Sequence, residues 1–194
     1  MTVPLLIAAL ALAPLPARSD DAPMLHTTAT DAPAPAESTR RLRPQSPRVE
    51  AWLNAALERS PTVRRLAARV ERGDVLVYLD LSRDLGTNVA AGLTWMVATP
   101  TRRIVRATLR RDLRDTEAIA MIAHELQHVV ELLEHPEVRS RAALLTLYAR
   151  IGHPSADTGR HWDTADAVAQ GMLARAEALS GVRPGRATDG RTGT

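Results

Sequence analysis

The feature that most constrains this chain is the apolar run from Thr116 to Leu133, in which Ile119, Ile122, Leu126, Val129 and Leu133 recur at spacings of 3, 4, 3 and 4. That period draws one continuous apolar stripe along a helix, and such a stripe has to be buried against other elements. Asp115 or Thr116 can cap the start of this helix, and Pro136 after His135 fits its end. Inside the run lies Ala123-His124-Glu125-Leu126-Gln127-His128. Residues four apart stand one turn above each other, so His124 and His128 can aim imidazole nitrogens at one ion, half of a zinc site. Glu125, about 100° further round, can reach a water on that ion without taking a coordination position, which makes it a general-base candidate. The bland alternative is a pair of solvent-facing histidines on an amphipathic helix.

The residues resemble those of the zincin metallopeptidases, and the nearest variety is the compact, gluzincin-like kind found among exported bacterial proteins. The likeness covers residues 74 to 178, with its specific part in His124-Glu125-Leu126-Gln127-His128. It implies an α+β, compact zincin-like domain, a zinc ion held by His124, His128 and an acid from a later helix, and Glu125 activating water for peptide-bond hydrolysis. In the gluzincin pattern the third ligand is a Glu at the start of that helix, whereas this chain has Asp163-Thr164-Ala165-Asp166 there. Asp163 is the first choice for third ligand, Asp166 the second and His161 a reserve. Asp is one methylene shorter than Glu, so the closing helix would have to approach the metal more closely.

The 194 residues allow one domain, and a hydrophobic content of 45% is enough for a core. All 25 basic residues are Arg, scattered and mostly near acids, which argues against a nucleic-acid footprint. There is no Cys, so a metal site must use His and carboxylates, and lipid attachment through a thiol is excluded. Residues 1–17 read as a signal-peptide-like segment: the Val3 to Leu15 run is too short to span a bilayer, and cleavage is expected after Ala17. No basic residue precedes that run, so an uncleaved anchor is the other expectation, and the only route to a membrane. Either way the protein is expected to be exported. Residues 18–47, rich in Pro and Ala and containing the isolated His26, read as a disordered linker, and 183–194 as a disordered tail.

The folded domain is expected over residues 48–182. Val49, Trp52, Leu53, Ala56 and Leu57 make a first helix, and Ser60-Pro61 opens a second that runs to about Arg72. Val75 to Leu81, Ala91 to Ala98 and the alternating segment around Val105, Ala107 and Leu109 make a small, mostly antiparallel sheet of about three strands. The arginines alternating in the third strand read as a solvated face, or alternatively as the edge along which a peptide could lie. After the motif helix come one helix from Val138 to Ile151 and another from about Trp162 to Ser180, with Val168, Met172, Leu173, Ala176 and Leu179 as its buried stripe.

Near the motif, Glu131 reads as a hydrogen-bond partner of a ligating histidine or as a solvated acid. His135 lies about 10 Å along the axis from His128 and cannot share its ion. Tyr148, His153 and His161 are candidates to stabilise an oxyanion, although Tyr148 on an apolar helix face favours core packing. The expected partner is a peptide or protein substrate. Two rivals remain, a non-catalytic zinc-stabilised exported binding domain and a metal-free exported interaction module.

Overall fold

The computed structural model describes residues 40–83, 85, 89–154 and 162–181. The signal-like segment, His26, residues 18–39 of the linker, His161 and the tail lie outside the described residues. So do residues 84, 86–88, 155–160 and 182. Eleven elements follow in order: β1 (Leu42–Pro44), α1 (Pro47–Arg59), α2 (Pro61–Glu71), β2 (Val75–Ser82), β3 (Ala91–Ala98), β4 (Arg103–Arg110), α3 (Asp115–Glu134), α4 (Arg141–Ile151), β5 (His153–Pro154), β6 (Trp162–Asp163) and α5 (Ala165–Ser180). The class is α+β, with five helices, a four-stranded sheet and a two-stranded one among the described residues. Among the described residues no helix is long and apolar enough to cross a membrane.

The larger sheet has the order β1-β2-β4-β3 and is mixed rather than mostly antiparallel. β2 pairs in parallel with both β1 and β4, and only β3 and β4 run antiparallel. Parallel neighbours need a crossover, which α1 and α2 supply between β1 and β2. Two expectations are corrected here. Leu42–Pro44, placed in the linker, is a strand whose Leu42 is buried, so order begins before residue 48. The arginine-bearing strand β4 is internal, and the edge strands are β1 and β3, the latter with a bulge between Trp95 and Val97. The alternation in β4 holds: Val105, Ala107 and Leu109 are buried, while Arg106 on the other face is exposed.

Helix α3 packs on α1, α2, α5 and the sheet, and residues from Ala118 to Leu132 are buried nearly all round it. Its start is set by Arg114, whose backbone N–H donates to Glu117 Oε2 at 3.0 Å, rather than by Asp115 or Thr116. Arg114 also pairs with the Glu117 side chain at 2.8 Å and holds its carboxyl down to about 2. Asp115 instead accepts from Trp52 Nε1 at 3.0 Å, joining α1 to the base of α3.

The other end of α3 is closed by a buried cation. Arg103 on β4 is 1% exposed, and its Nη1 donates to the carbonyls of Leu132 at 2.7 Å and His135 at 2.8 Å. Its Nε and Nη2 donate to the two oxygens of Asp74, at 2.9 and 2.6 Å. A guanidinium there adds a charged donor to two carbonyls that otherwise accept only from the His135 and Val138 N–H groups, and it complements the negative end of the helix dipole. Arg103→Met should lower stability by about 2 to 4 kcal/mol, because those carbonyls lose a charged donor. The hydrogen bond from Arg103 outweighs desolvation and holds the Asp74 carboxyl below its usual range. A depressed carboxylate stabilises the fold above the unfolded value, about 3.9, and that contribution disappears as pH falls through the folded value. Denaturant midpoints measured against pH should therefore fall more steeply below pH ~4 in wild type than in Arg103→Met.

α5 departs furthest from expectation. It begins at Ala165, capped by Thr164, and its buried residues are Ala167, Gly171, Ala174 and Ala178. The expected stripe is outward: Val168, Leu173 and Leu179 are exposed, and Met172 is 69% exposed. Small side chains let α5 settle close on α3. A Cβ on Gly171 would stand 3.2 Å from the Ala120 carbonyl oxygen and 3.4 Å from His124 Cβ. Glu177 fastens the far end of α5 by accepting from Ser60 Oγ at 2.5 Å and Thr62 Oγ1 at 2.9 Å, at the start of α2.

Candidate metal centre

α3 carries His124 and His128 one turn apart, and their Nε2 atoms stand 3.2 Å from each other. Facing them from β6 is Asp163, whose Oδ1 lies 3.2 Å from His124 Nε2 and 3.9 Å from His128 Nε2. These three residues form a group that can hold a metal ion. They do not lie on open surface: the side chains of His124, His128 and Asp163 are 15%, 5% and 26% exposed, which removes the reading as two solvent-facing histidines.

Asp163 is not in the first turn of the closing helix, as expected, but one residue before its cap, in a short strand. β6 pairs antiparallel with β5, bringing His153 opposite Asp163. The Thr164 backbone N–H donates to Asp163 Oδ1 at 3.0 Å and fixes the carboxylate. Asp166, in the first turn of α5, is exposed and outside the cluster. Asp163 faces the histidines through the pairing of β6 with β5, beside the close approach of α5 to α3 at Gly171.

Glu131 lies on α3 beneath His128, and its Oε2 is 2.8 Å from His128 Nδ1. A carboxylate at Nδ1 accepts the ring proton and leaves the Nε2 lone pair aimed at the cluster. The Glu131 Oε1 accepts from the Thr164 hydroxyl at 2.6 Å. Glu131 is thus the buried hydrogen-bond partner of His128 rather than a solvated acid.

Glu125 is buried and lines the cleft beside both histidines. Burial, the largest single influence, pulls the His124 imidazole down. The hydrogen bond to Asp163 and the charges of Glu125, Asp163 and Glu131 outweigh it and leave His124 above its ordinary value. Burial likewise raises the Asp163 carboxyl, but His124, His128 and the Thr164 N–H bring it below the usual range.

Of the oxyanion candidates, Tyr148 is engaged elsewhere. It is buried, stands edge-on to His128 at 5.2 Å between centroids, and donates to the His128 carbonyl oxygen at 3.2 Å. Burial and then the charges of Glu131 and Glu125 raise its hydroxyl well above the ordinary phenol value. His153 is exposed on β5, and His135 pairs with Glu137 at 3.0 Å, away from the cluster.

The cluster forms the floor of a cleft of about 580 Å³. β3 contributes Ala91, Gly92 and Leu93 to one wall, and α5 contributes Val168, Gly171 and Met172 to another. Met172 and Val168, read from the sequence as core, are therefore part of the cleft mouth. No family model, curated protein or solved structure matches the chain, so the centre is characterised by its own geometry alone.

Proposed function

We propose that this protein is a zinc-dependent peptidase of the zincin kind, exported from the cytoplasm, that hydrolyses a peptide bond held across the cleft. The observation that carries the reading is the convergence of two imidazoles and a carboxylate, donor atoms 3.2, 3.2 and 3.9 Å apart, with a buried non-ligating carboxylate beside them. Tetrahedral ligands at zinc bond lengths of about 2.0 to 2.1 Å stand about 3.3 Å from one another, so small shifts bring all three on to one ion. A nitrogen and oxygen donor set without thiolates suits zinc and leaves a fourth position open. When bound, zinc polarises the scissile carbonyl and lowers the pKa of a coordinated water. Glu125 accepts the proton from the attacking water and can return it to the leaving amine. The edge strand β3 offers backbone groups alongside the cleft, where an extended substrate can add as a further strand.

One observation favours a second reading, a zinc-holding domain that binds without turnover. The Tyr148 hydroxyl is bonded to the His128 carbonyl, so the most obvious oxyanion donor is not offered to a substrate. Metal analysis of the full chain after zinc-replete purification should give about one zinc per chain, and near zero for His124→Ala or His128→Ala. A wild-type content near zero would sink both readings. Turnover of a peptide library by the loaded protein separates them.

A further inference from the structure

The metal reading leaves a buried polar residue without a role. Thr164 is 3% exposed and lies between Asp163 and α5. Its N–H and hydroxyl reach both sides of the cluster: the N–H donates to Asp163 Oδ1 at 3.0 Å, the hydroxyl donates to Glu131 Oε1 at 2.6 Å, and the hydroxyl oxygen also accepts from Ala167 N at 3.1 Å. Through Glu131 the hydroxyl is linked to His128, whose Nδ1 is 2.8 Å from the second carboxylate oxygen.

We infer that Thr164 is a positioning residue for the metal centre, setting a ligand on β6 directly and a ligand on α3 through Glu131. This rests on the metal reading above. The physical basis is the placement of Glu131. Its carboxylate is buried, so an oxygen that loses the Thr164 donor cannot turn to bulk water without leaving its place. Once it turns, His128 loses the acceptor that holds the ring in its Nδ1–H tautomer, and the Nε2–H tautomer, which covers the atom needed for the ion, becomes accessible. A helix cap alone would need only an oxygen facing Ala167 N, which many residues supply. The geometry here uses the hydroxyl hydrogen as well, towards a carboxylate from a different helix.

The test uses the full chain in two measurements. In the metal-free protein, long-range nitrogen–proton NMR reads which ring nitrogen of His128 carries the proton. In the zinc-loaded protein, competition with a chromophoric chelator reads affinity. Thr164→Val should mix the His128 tautomers and weaken zinc binding by about 10- to 100-fold, the range typical for groups that orient a ligand. Thr164→Ser should restore both, and Thr164→Ala against Thr164→Ser makes the same comparison if the Val variant does not fold. In a Glu131→Ala background, Thr164→Val should cost nothing further, because the route runs through that carboxylate.

An unchanged affinity and tautomer in Thr164→Val, in a wild type that binds zinc, overturns this inference and leaves the metal reading standing. An equal loss with and without Glu131 also overturns it and reduces Thr164 to a cap. A wild type that takes up no zinc overturns the metal reading, and this inference with it.

Discussion

If the protein is the zinc peptidase proposed above, Glu125→Gln should keep the zinc and lose hydrolysis by a factor on the order of 100 or more, the usual worth of a general base. The donor atoms that converge belong to His124, His128 and Asp163, and Glu125 is not one of them. It is nevertheless buried and lines the same cleft as the three of them. Gln has the same shape and cannot take up a proton, so the substitution removes the base and little else. The check is zinc content beside peptide turnover on the same preparation. Retained metal with lost turnover supports the role. Lost metal would make Glu125 a ligand, and unchanged turnover would make it a bystander.

The second large effect concerns the third ligand. Asp163→Ala should weaken zinc binding by more than about 100-fold, beyond the range expected for a group that only orients a ligand. Asp163 Oδ1 is the atom that closes the triangle with the two Nε2 atoms, and the Thr164 N–H holds it there. Asp166→Ala should leave affinity within about threefold, since an exposed acid in the first turn of α5 interacts mainly with the helix dipole. Chelator competition on both variants decides between them. Metal stripped by Asp166→Ala and kept by Asp163→Ala would reverse the assignment and leave Asp163 as a partner of the empty histidine pair.

What the sequence by itself determined was the part whose geometry is local. A period of 3, 4, 3 and 4 in Ile119 to Leu133 is enough to make α3, and a spacing of four places His124 and His128 on one side of it in any fold. The strands β2, β3 and β4 were legible for the same reason, as β-branched and alternating runs between turn residues.

Pairing and facing were decided only in three dimensions. β1 is three residues in a proline-rich stretch, ordered by its register against Val77 to Leu79 and by Glu71, which accepts from the Arg41 and Leu42 N–H groups. β4 reads as an edge or an internal strand equally well from its alternation, because a strand's own residues do not say what lies on either side. α5 carries two apolar stripes at helical spacing. Ranking by hydrophobicity favours Val168, Met172, Leu173 and Leu179, yet Ala167, Gly171, Ala174 and Ala178 are the ones buried. The choice went to the small residues because α3 leaves only the clearance visible at Gly171 beside His124, and close helix packing there gains contact along two whole backbones. That same approach brings Asp163 to the histidines and Thr164 to Glu131. Residues 33 positions apart, such as Thr164 and Glu131, meet only when the helices have packed, and no local pattern in either segment announces it.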